Sequence, residues 1–405
     1  MSRERPRILF VDHVSKVLGG AEVNLLELLA LPAAREGWDV HVGCAPGSPL
    51  EAALAKLGVP RHPYGFAPAL NELRVVGRGF SPMAKFRGWR ELQNATGRLR
   101  GIAAAVRPDV LLSCTNKDHF VAGAVAAGRP SIWWVNDIVS ADFFSWPVRR
   151  MFSAKAKQLA TRLAPVSDFG RAALLAEGIP AERTTTVHNG IPLDRYRRSG
   201  STLLRDQLRL GAGEPLFGLV GRVTPWKGQD LFIRIAAEWA RQGRPGRFAI
   251  IGRAFNEDGP FEASLHDAVR HHGLEGRVHF VAFQADIAAT LSQMDVLLHC
   301  STKPEPFGRV VIEAMAVGVP VIGARAGGVP EILVDGVDGL LAAPGDVGDY
   351  LRRLTALMDA PALRASLAVA GRRTVEQRFT LERVHADFSR MVAAVTPPAG
   401  TDCQH

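Results

Sequence analysis

Residues 296–316 read VLLHCSTKPEPFGRVVIEAMA, and their order of chemistry decides the fold. Val296 to Cys300 is a short apolar run of strand type, a polar loop follows, and from Gly308 onward the apolar residues fall at helical spacing. A strand, a loop and a glycine opening a helix make one step of a parallel α/β sheet. Such a helix start aims backbone N–H groups and the positive end of its dipole at one point, which suits a diphosphate. Glu305 sits in the loop at that end, and Glu313 lies roughly 7–8 Å further along from Gly308 at about 1.5 Å per residue. Two carboxylates so placed can accept hydrogen bonds from two sets of hydroxyls, those of a sugar and those of a ribose. Glu313, between apolar neighbours, is costly to bury without a partner.

The same step recurs on both sides of this stretch. After residue 210, Leu216 to Val220 reads as a strand ending in Gly221, Asp230 to Gln242 as a helix, and Phe248 to Gly252, Val278 to Val281 and Pro320 to Gly323 as further strands. Towards the N-terminus, Ile8 to Val11 is a strand, Gly19 and Gly20 a turn, and Glu22 to Leu31 a helix. Val40 to Gly43, Val110 to Leu112, Ser131 to Val135, Leu163 to Val166 and Thr185 to Val187 continue the strand series. The expected fold is therefore α/β, two Rossmann-like domains in tandem, with residues 1–192 and 193–379 as the halves. The turn-rich stretch from His188 to Gly213 is the expected hinge. A last helical pattern, about 380–396, can close the second domain or cross back to the first. Residues 397–405 read as a frayed tail.

A chain of 405 residues, 47% hydrophobic and 22% charged, fits two globular domains. No stretch approaches the roughly 20 apolar residues that span a bilayer, and Met1 to Arg7 leads straight into a strand, so a cytoplasmic location is expected. Cys44, Cys114, Cys300 and Cys403 lack the spacing of a disulfide framework or a zinc site. Charge is less even: 49 Lys+Arg face 40 Asp+Glu. From Arg74 to Arg107 eight basic residues meet one acid, Glu91. That stretch also holds Phe80, Met83, Phe86 and Trp89, and a second basic cluster (Arg149, Arg150, Lys155, Lys157, Arg162) follows. Solvated faces, an anionic substrate or peripheral contact with an anionic membrane at its inner face all fit. Nucleic acid does not, since no recognition motif accompanies the charge. Gly19-Gly20 lacks the full spacing of a dinucleotide fingerprint, which argues against a nicotinamide enzyme.

The motif spacing resembles the retaining glycosyltransferases of family 4, of GT-B fold, whose hallmark is two glutamates eight residues apart around a Pro-Phe-Gly step. The resemblance extends through Gly19-Gly20-Ala21-Glu22, Asn189-Gly190-Ile191, Gly221-Arg222, Lys227-Gly228, Gly327-Gly328-Val329-Pro330-Glu331, and Asp335-Gly336 to Leu341. It implies a cleft between the two domains, a UDP- or GDP-sugar donor in the C-terminal half and a hydroxyl acceptor (polysaccharide, lipid-linked glycan or secondary metabolite) in the N-terminal half. By it, Glu305 contacts sugar hydroxyls, the backbone of Phe307, Gly308 and Val310 faces the donor, Glu313 takes the ribose, and Gly19 and Gly20 lie beneath the phosphates. Arg222 and Lys227 neutralise the diphosphate, where fixed cations lower the barrier as charge develops on the leaving group.

No Asp-x-Asp occurs, so the usual carboxylate pair for Mg²⁺ or Mn²⁺ is absent, and a hexosyl transfer without metal or other cofactor is expected. One departure stands out. Where many relatives have a histidine after the strand Ser131 to Val135, this chain has Asn136, which hydrogen-bonds but cannot act as a base. Lys117, Asp118, His119, Asn136 and Asp137, at the C-terminal ends of their strands, are the acceptor candidates, with Asn136 also counted among the catalytic set. Two alternatives stay open: a silent sugar-nucleotide-binding module, and a GT-B epimerase or phosphorylase.

Overall fold

The computed structural model describes residues 5–14, 18–66, 82–255 and 258–396, with backbone alone for 82–86. The basic positions Arg74 and Arg78, the side chains of Met83, Lys85 and Phe86, together with Phe80 and the tail after 396, lie outside it. Two compact units form, Met1–Gly190 with Leu381–His405, and Ile191–Thr380.

The first unit begins β1 (Arg7–Asp12), α1 (Gly20–Ala30), α2 (Pro32–Gly37), β2 (Asp39–Cys44), α3 (Pro49–Lys56), β3 (Arg61–Pro63) and α4 (Pro82–Val106). It continues with β4 (Val110–Ser113), α5 (Asn116–Val125), β5 (Ser131–Val135), α6 (Trp146–Leu159), β6 (Arg162–Pro165) and α7 (Asp168–Ala176). The strand order is β3-β2-β1-β4-β5-β6, and every pairing is parallel. Helices cover both faces of such a sheet, which is why Ile8, Leu9, Phe10 and Val11 form an unbroken apolar run and are all fully buried. Short polar side chains start the helices: Ser48 accepts from the Glu51 amide at 3.1 Å ahead of Pro49, and Ser167 from the Gly170 amide at 3.0 Å.

The second unit contains α8 (Leu203–Gln207), β7 (Leu216–Val220), α9 (Gln229–Arg241), β8 (Arg247–Ile251), α10 (Gly259–His271), β9 (Val278–Val281) and α11 (Ile287–Leu291). Then come β10 (Val296–His299), α12 (Arg309–Ala316), β11 (Val321–Ala324), α13 (Val329–Ile332), β12 (Leu340–Ala342), α14 (Val347–Asp359) and α15 (Pro361–Arg378). Its sheet is again parallel, ordered β12-β11-β10-β7-β8-β9. One face of α9, from Leu231 and Phe232 through Ile235 to Trp239, is buried in the core beside Phe217 and Phe248. The last helix, α16 (Leu381–Val395), belongs to the first unit, where Phe388 meets Trp134 with ring centres 4.8 Å apart and His385 meets Trp38 at 4.6 Å.

Three segments differ from the sequence reading. Thr185 to Val187 is not a strand: Thr185 and Val187 donate to Leu163 and Pro165, but the ladder amounts to one isolated bridge before the Asn189-Gly190 turn. β3 and β12 are real strands that went unread. Each has three residues, β3 running from Arg61 to Pro63 and β12 from Leu340 to Ala342, too short for an alternating pattern.

Candidate functional site

In the second unit, three loops converge on Glu305. The loop after β7 carries Arg222 and then a 3₁₀ turn, Pro225–Lys227, whose Trp226 carbonyl accepts from the Thr302 amide at 2.8 Å and so ties it to the loop after β10. Gly228 ends that turn at φ +75°, and a Cβ there would stand 2.0 Å from the Cys300 carbonyl oxygen, so only glycine lets the loops approach this closely. The third loop is Gly327-Gly328. The Gly328 amide donates to the Glu305 carbonyl at 2.9 Å, and a Cβ on Gly327, at φ +64°, would lie 2.2 Å from that same oxygen.

Lys227 Nζ donates to both oxygens of Glu305, at 2.7 Å to Oε1 and 2.8 Å to Oε2. Ser301 Oγ donates to Oε2 at 2.9 Å, and His299 Nε2 stands 3.3 Å from it. Burial alone would raise the Glu305 pKa. Lys227 and then His299 outweigh it and hold the carboxyl well below the ordinary range, so it is an anion. Lys227 also lies 4.4 Å from the Trp226 ring centre. Arg222 is more open: its guanidinium is 5.4 Å from the Phe255 ring centre, and its Nε is 3.9 Å from Asp258, whose other oxygen accepts from Thr224 at 3.1 Å.

Gly308 is the N-cap of α12, and the first bond within that helix runs from the Val311 amide to the Gly308 carbonyl at 2.9 Å. The helix start therefore sits directly after Glu305, as its backbone amides require for an anion. Phe307 is core, its ring packed on Phe379 at 5.6 Å, so the backbone is what that residue can offer a ligand. Val310 is half-buried in the first turn. Glu313 is buried and has partners from this chain: Arg309 Nε at 2.6 Å and the Tyr196 hydroxyl at 3.0 Å both donate to Oε1.

In the first unit, the Gly19 amide is taken by Glu22 Oε2 at 2.5 Å, and Gly20 opens α1. Two acceptor candidates need correction. Asp118 is fully buried, accepting from the His13 amide at 3.0 Å, from Thr115 Oγ1 at 2.7 Å and from the Tyr64 hydroxyl at 2.9 Å, so it ties together the segments that follow β1, β4 and β3 and is not exposed to a ligand. His119 is fully buried too, stacked on Trp133 with ring centres 5.0 Å apart, and burial lowers its pKa to about 3. Trp133 and Trp134 are likewise core. Lys117 is half-buried and Asp137 exposed, the latter accepting from Asn116 at 2.7 Å. Asn136 spends its amide nitrogen on the carbonyls of Cys114 and Trp134, both at 3.1 Å, which leaves its side-chain oxygen to offer.

The family model for Glycosyltransferase Family 4 matches residues 18–195, and that for Glycosyl transferases group 1 matches residues 201–374. The chain belongs to the family 4 glycosyltransferases. Its fold is GT-B: HepE of Anabaena, in complex with UDP and glucose, superposes with a TM-score of 0.83 at 26% identity, over 96% of this chain and 100% of that one. Sucrose-phosphate synthase of Thermosynechococcus elongatus shares the fold alone, with a TM-score of 0.76 at 21% identity over 96% and 99% of the two chains. Among curated relatives, D-inositol 3-phosphate glycosyltransferase 2 of Catenulispora acidiphila is 33% identical over 45% of this chain and 44% of its own. The 2-deoxystreptamine glucosyltransferase of Streptomyces kanamyceticus is 32% identical over 58% of each. The chain spans about half the length of the curated relatives it matches.

Within this family 4 chain, sequence reasoning missed His299, Ser301, Arg309, Tyr196 and His13. Ser301 and His299 lie four and six residues before Glu305, and Arg309 is one turn before Glu313, a spacing that places side chains together on a helix. Tyr196 and His13 reach their partners across the fold, His13 Nδ1 lying 2.9 Å from Asp118 Oδ2, and no local pattern announces that.

Proposed function

We propose that this chain is a retaining hexosyltransferase that takes a sugar from a UDP- or GDP-sugar and transfers it to a hydroxyl acceptor without a metal ion. The observation that carries the reading is the Lys227–Glu305 pair, formed where α12 begins. An anionic carboxylate there accepts sugar hydroxyls. Lys227 commits two of its three protons to Glu305 and keeps a third for a phosphate oxygen. Arg222, less encumbered, adds charge where the leaving diphosphate becomes more negative, the point at which fixed cations act most strongly. Glu313 accepts ribose hydroxyls beside Arg309 and Tyr196. Breaking the bond between the anomeric carbon and the phosphate oxygen releases the nucleoside diphosphate, whose oxygen takes the acceptor proton, so Asn136 need not act as a base. The UDP and glucose held by Anabaena HepE support a uridine donor. Thermal shift with UDP-glucose, UDP-galactose, GDP-mannose and the free diphosphates tests donor binding, because a bound ligand raises apparent stability by mass action. Unchanged melting with all of them would overturn the reading.

The acceptor is the less constrained half, and an anionic membrane surface is the partner we favour for it. Among the described residues of the first unit, the exposed large apolar side chains are Trp89, Trp146, Met151 and Phe169. They stand on α4, α6 and α7, with exposed Arg87, Arg90, Arg150, Lys155 and Lys157 among them. Trp146 opens α6 just after the loop that follows Asn136, at the C-terminal edge of the sheet. Aromatic rings among cations suit an anionic lipid interface, with each cation contributing on the order of 1 kcal/mol. No helix among the described residues is long and apolar enough to cross a membrane. Flotation should recover the protein with phosphatidylglycerol vesicles and lose it on Trp146→Ser with Arg150→Glu and Lys155→Glu. No recovery with phosphatidylglycerol vesicles would contradict the lipid contact, and equal recovery with neutral ones would contradict its dependence on anionic charge.

A further inference from the structure

His299 is the last residue of β10 and is buried, and its place is fixed from behind, where the buried Tyr350 donates its hydroxyl to the His299 carbonyl at 2.7 Å. Its Nε2 lies 3.3 Å from Glu305 Oε2 and 3.3 Å from Ser301 Oγ, while its Nδ1 is buried with no partner among the described residues. A buried N–H without an acceptor costs more than a bare lone pair, so the proton belongs on Nε2, which donates to the carboxylate. Glu305 Oε2 then receives Lys227, Ser301 and His299, whereas Oε1 receives Lys227 alone. A carboxylate oxygen has about two acceptor directions. Oε2 is filled, and Oε1 keeps one direction open.

We propose that His299 is a positioning residue for sugar recognition: by holding Oε2 it fixes the plane of the Glu305 carboxylate and leaves Oε1 as the oxygen to which a donor-sugar hydroxyl bonds. This rests on the donor reading above, and the resemblance to the family assigns Glu305 and Lys227 a role but His299 none. Without the imidazole, the carboxylate turns about its last torsion, and the open direction of Oε1 no longer stands at one place. Arg222 and Glu313, which handle the phosphates and the ribose, make their side-chain contacts to Asp258 and to Arg309 and Tyr196 and not to Glu305, so that turn leaves them in place. His299 therefore discriminates between a nucleotide sugar and the same nucleotide without its sugar.

Titration calorimetry on the full chain with UDP, UDP-glucose, GDP and GDP-mannose tests this, using His299→Leu and His299→Gln beside wild type. The nucleotide sugar that wild type binds should bind His299→Leu about tenfold or more weakly, the scale of one hydrogen bond to a charged group, while its diphosphate stays within about twofold. His299→Gln, whose amide can donate to Oε2, should recover most of the loss. Equal weakening of sugar nucleotide and diphosphate, as from a site that has collapsed, would overturn the proposal, and so would no weakening of either. Wild type binding none of the four would overturn the donor reading itself, and this proposal with it.

Discussion

Arg222 and Lys227 carry the same formal charge, yet their surroundings separate what their loss should do. Lys227 is bonded to both oxygens of a buried carboxylate, so Lys227→Ala strands an anion, a change that typically costs about 3–5 kcal/mol. Arg222 is more exposed, and among the described residues its carboxylate partner, Asp258, is 3.9 Å away. Arg222→Ala should cut turnover on the order of 10²-fold with little change in melting temperature, whereas Lys227→Ala should lower both. Steady-state rates read beside thermal melts separate these, and full turnover in Arg222→Ala would show that the diphosphate lies elsewhere. Because the Glu305 pKa is depressed, its ion pair is fully formed above the usual carboxylate value of about 4.3 and is lost only as pH falls further, through the lowered folded value. His119 behaves oppositely in charge but alike in direction. Its folded pKa of about 3 against roughly 6.5 unfolded means that the unfolded chain binds the proton first, so stability is complete above about pH 6.5 and falls towards pH 3. His119→Phe, which keeps a stacked ring, should flatten this decline by about 1.4 kcal/mol per pH unit in urea melts between pH 6 and 4. Parallel pH profiles for variant and wild type would contradict a neutral, buried His119.

At the scale of elements, what the sequence made legible follows from pattern length. Strands of four or more apolar residues, such as β1, β5, β7 and β8, were readable because burial on both faces demands an unbroken run. β3 and β12 carry too few residues for such a signal, and Thr185 to Val187 has strand composition without a partner that continues beyond one bridge. The residues proposed for the donor stood out as candidates because Glu305, Gly308 and Glu313 fall within one loop and one helix start. The candidates in the first unit were less legible: Asp118 and His119 have the composition of a site and the burial of a core, and composition does not report burial. Gly327 illustrates a motif residue whose meaning is steric. Gly327→Ala would force a Cβ at φ +64° against the backbone of Glu305, so donor affinity should fall together with the stability of the second unit. Calorimetric binding and melting of Gly327→Ala would show it, and wild-type values for both would mean that this loop does not set the Glu305 backbone.

The molecule as a whole repeats one architecture twice, a parallel six-stranded sheet in each unit, and divides its chemistry between them. Cations, a helix start and paired glutamates lie in the second unit. The first unit offers Asn136, Lys117 and Asp137 at the ends of its strands, and exposed tryptophans among basic residues on its helices. The helix α16, Leu381–Val395, packs on that unit through Phe388 against Trp134 and so contributes to the first unit's stability. Such a division suits a reaction whose donor is one recurring chemical type and whose acceptor varies. Incubation of the full chain with UDP- and GDP-sugars and a mixture of polyol and glycan acceptors, followed by phosphorus and anomeric proton NMR, tests the transfer most directly. Release of UDP or GDP with a new glycoside that keeps the donor's anomeric configuration, abolished in Arg222→Ala with Lys227→Ala, is the expected result; no diphosphate released from any donor, or a glycoside of inverted configuration, would contradict it.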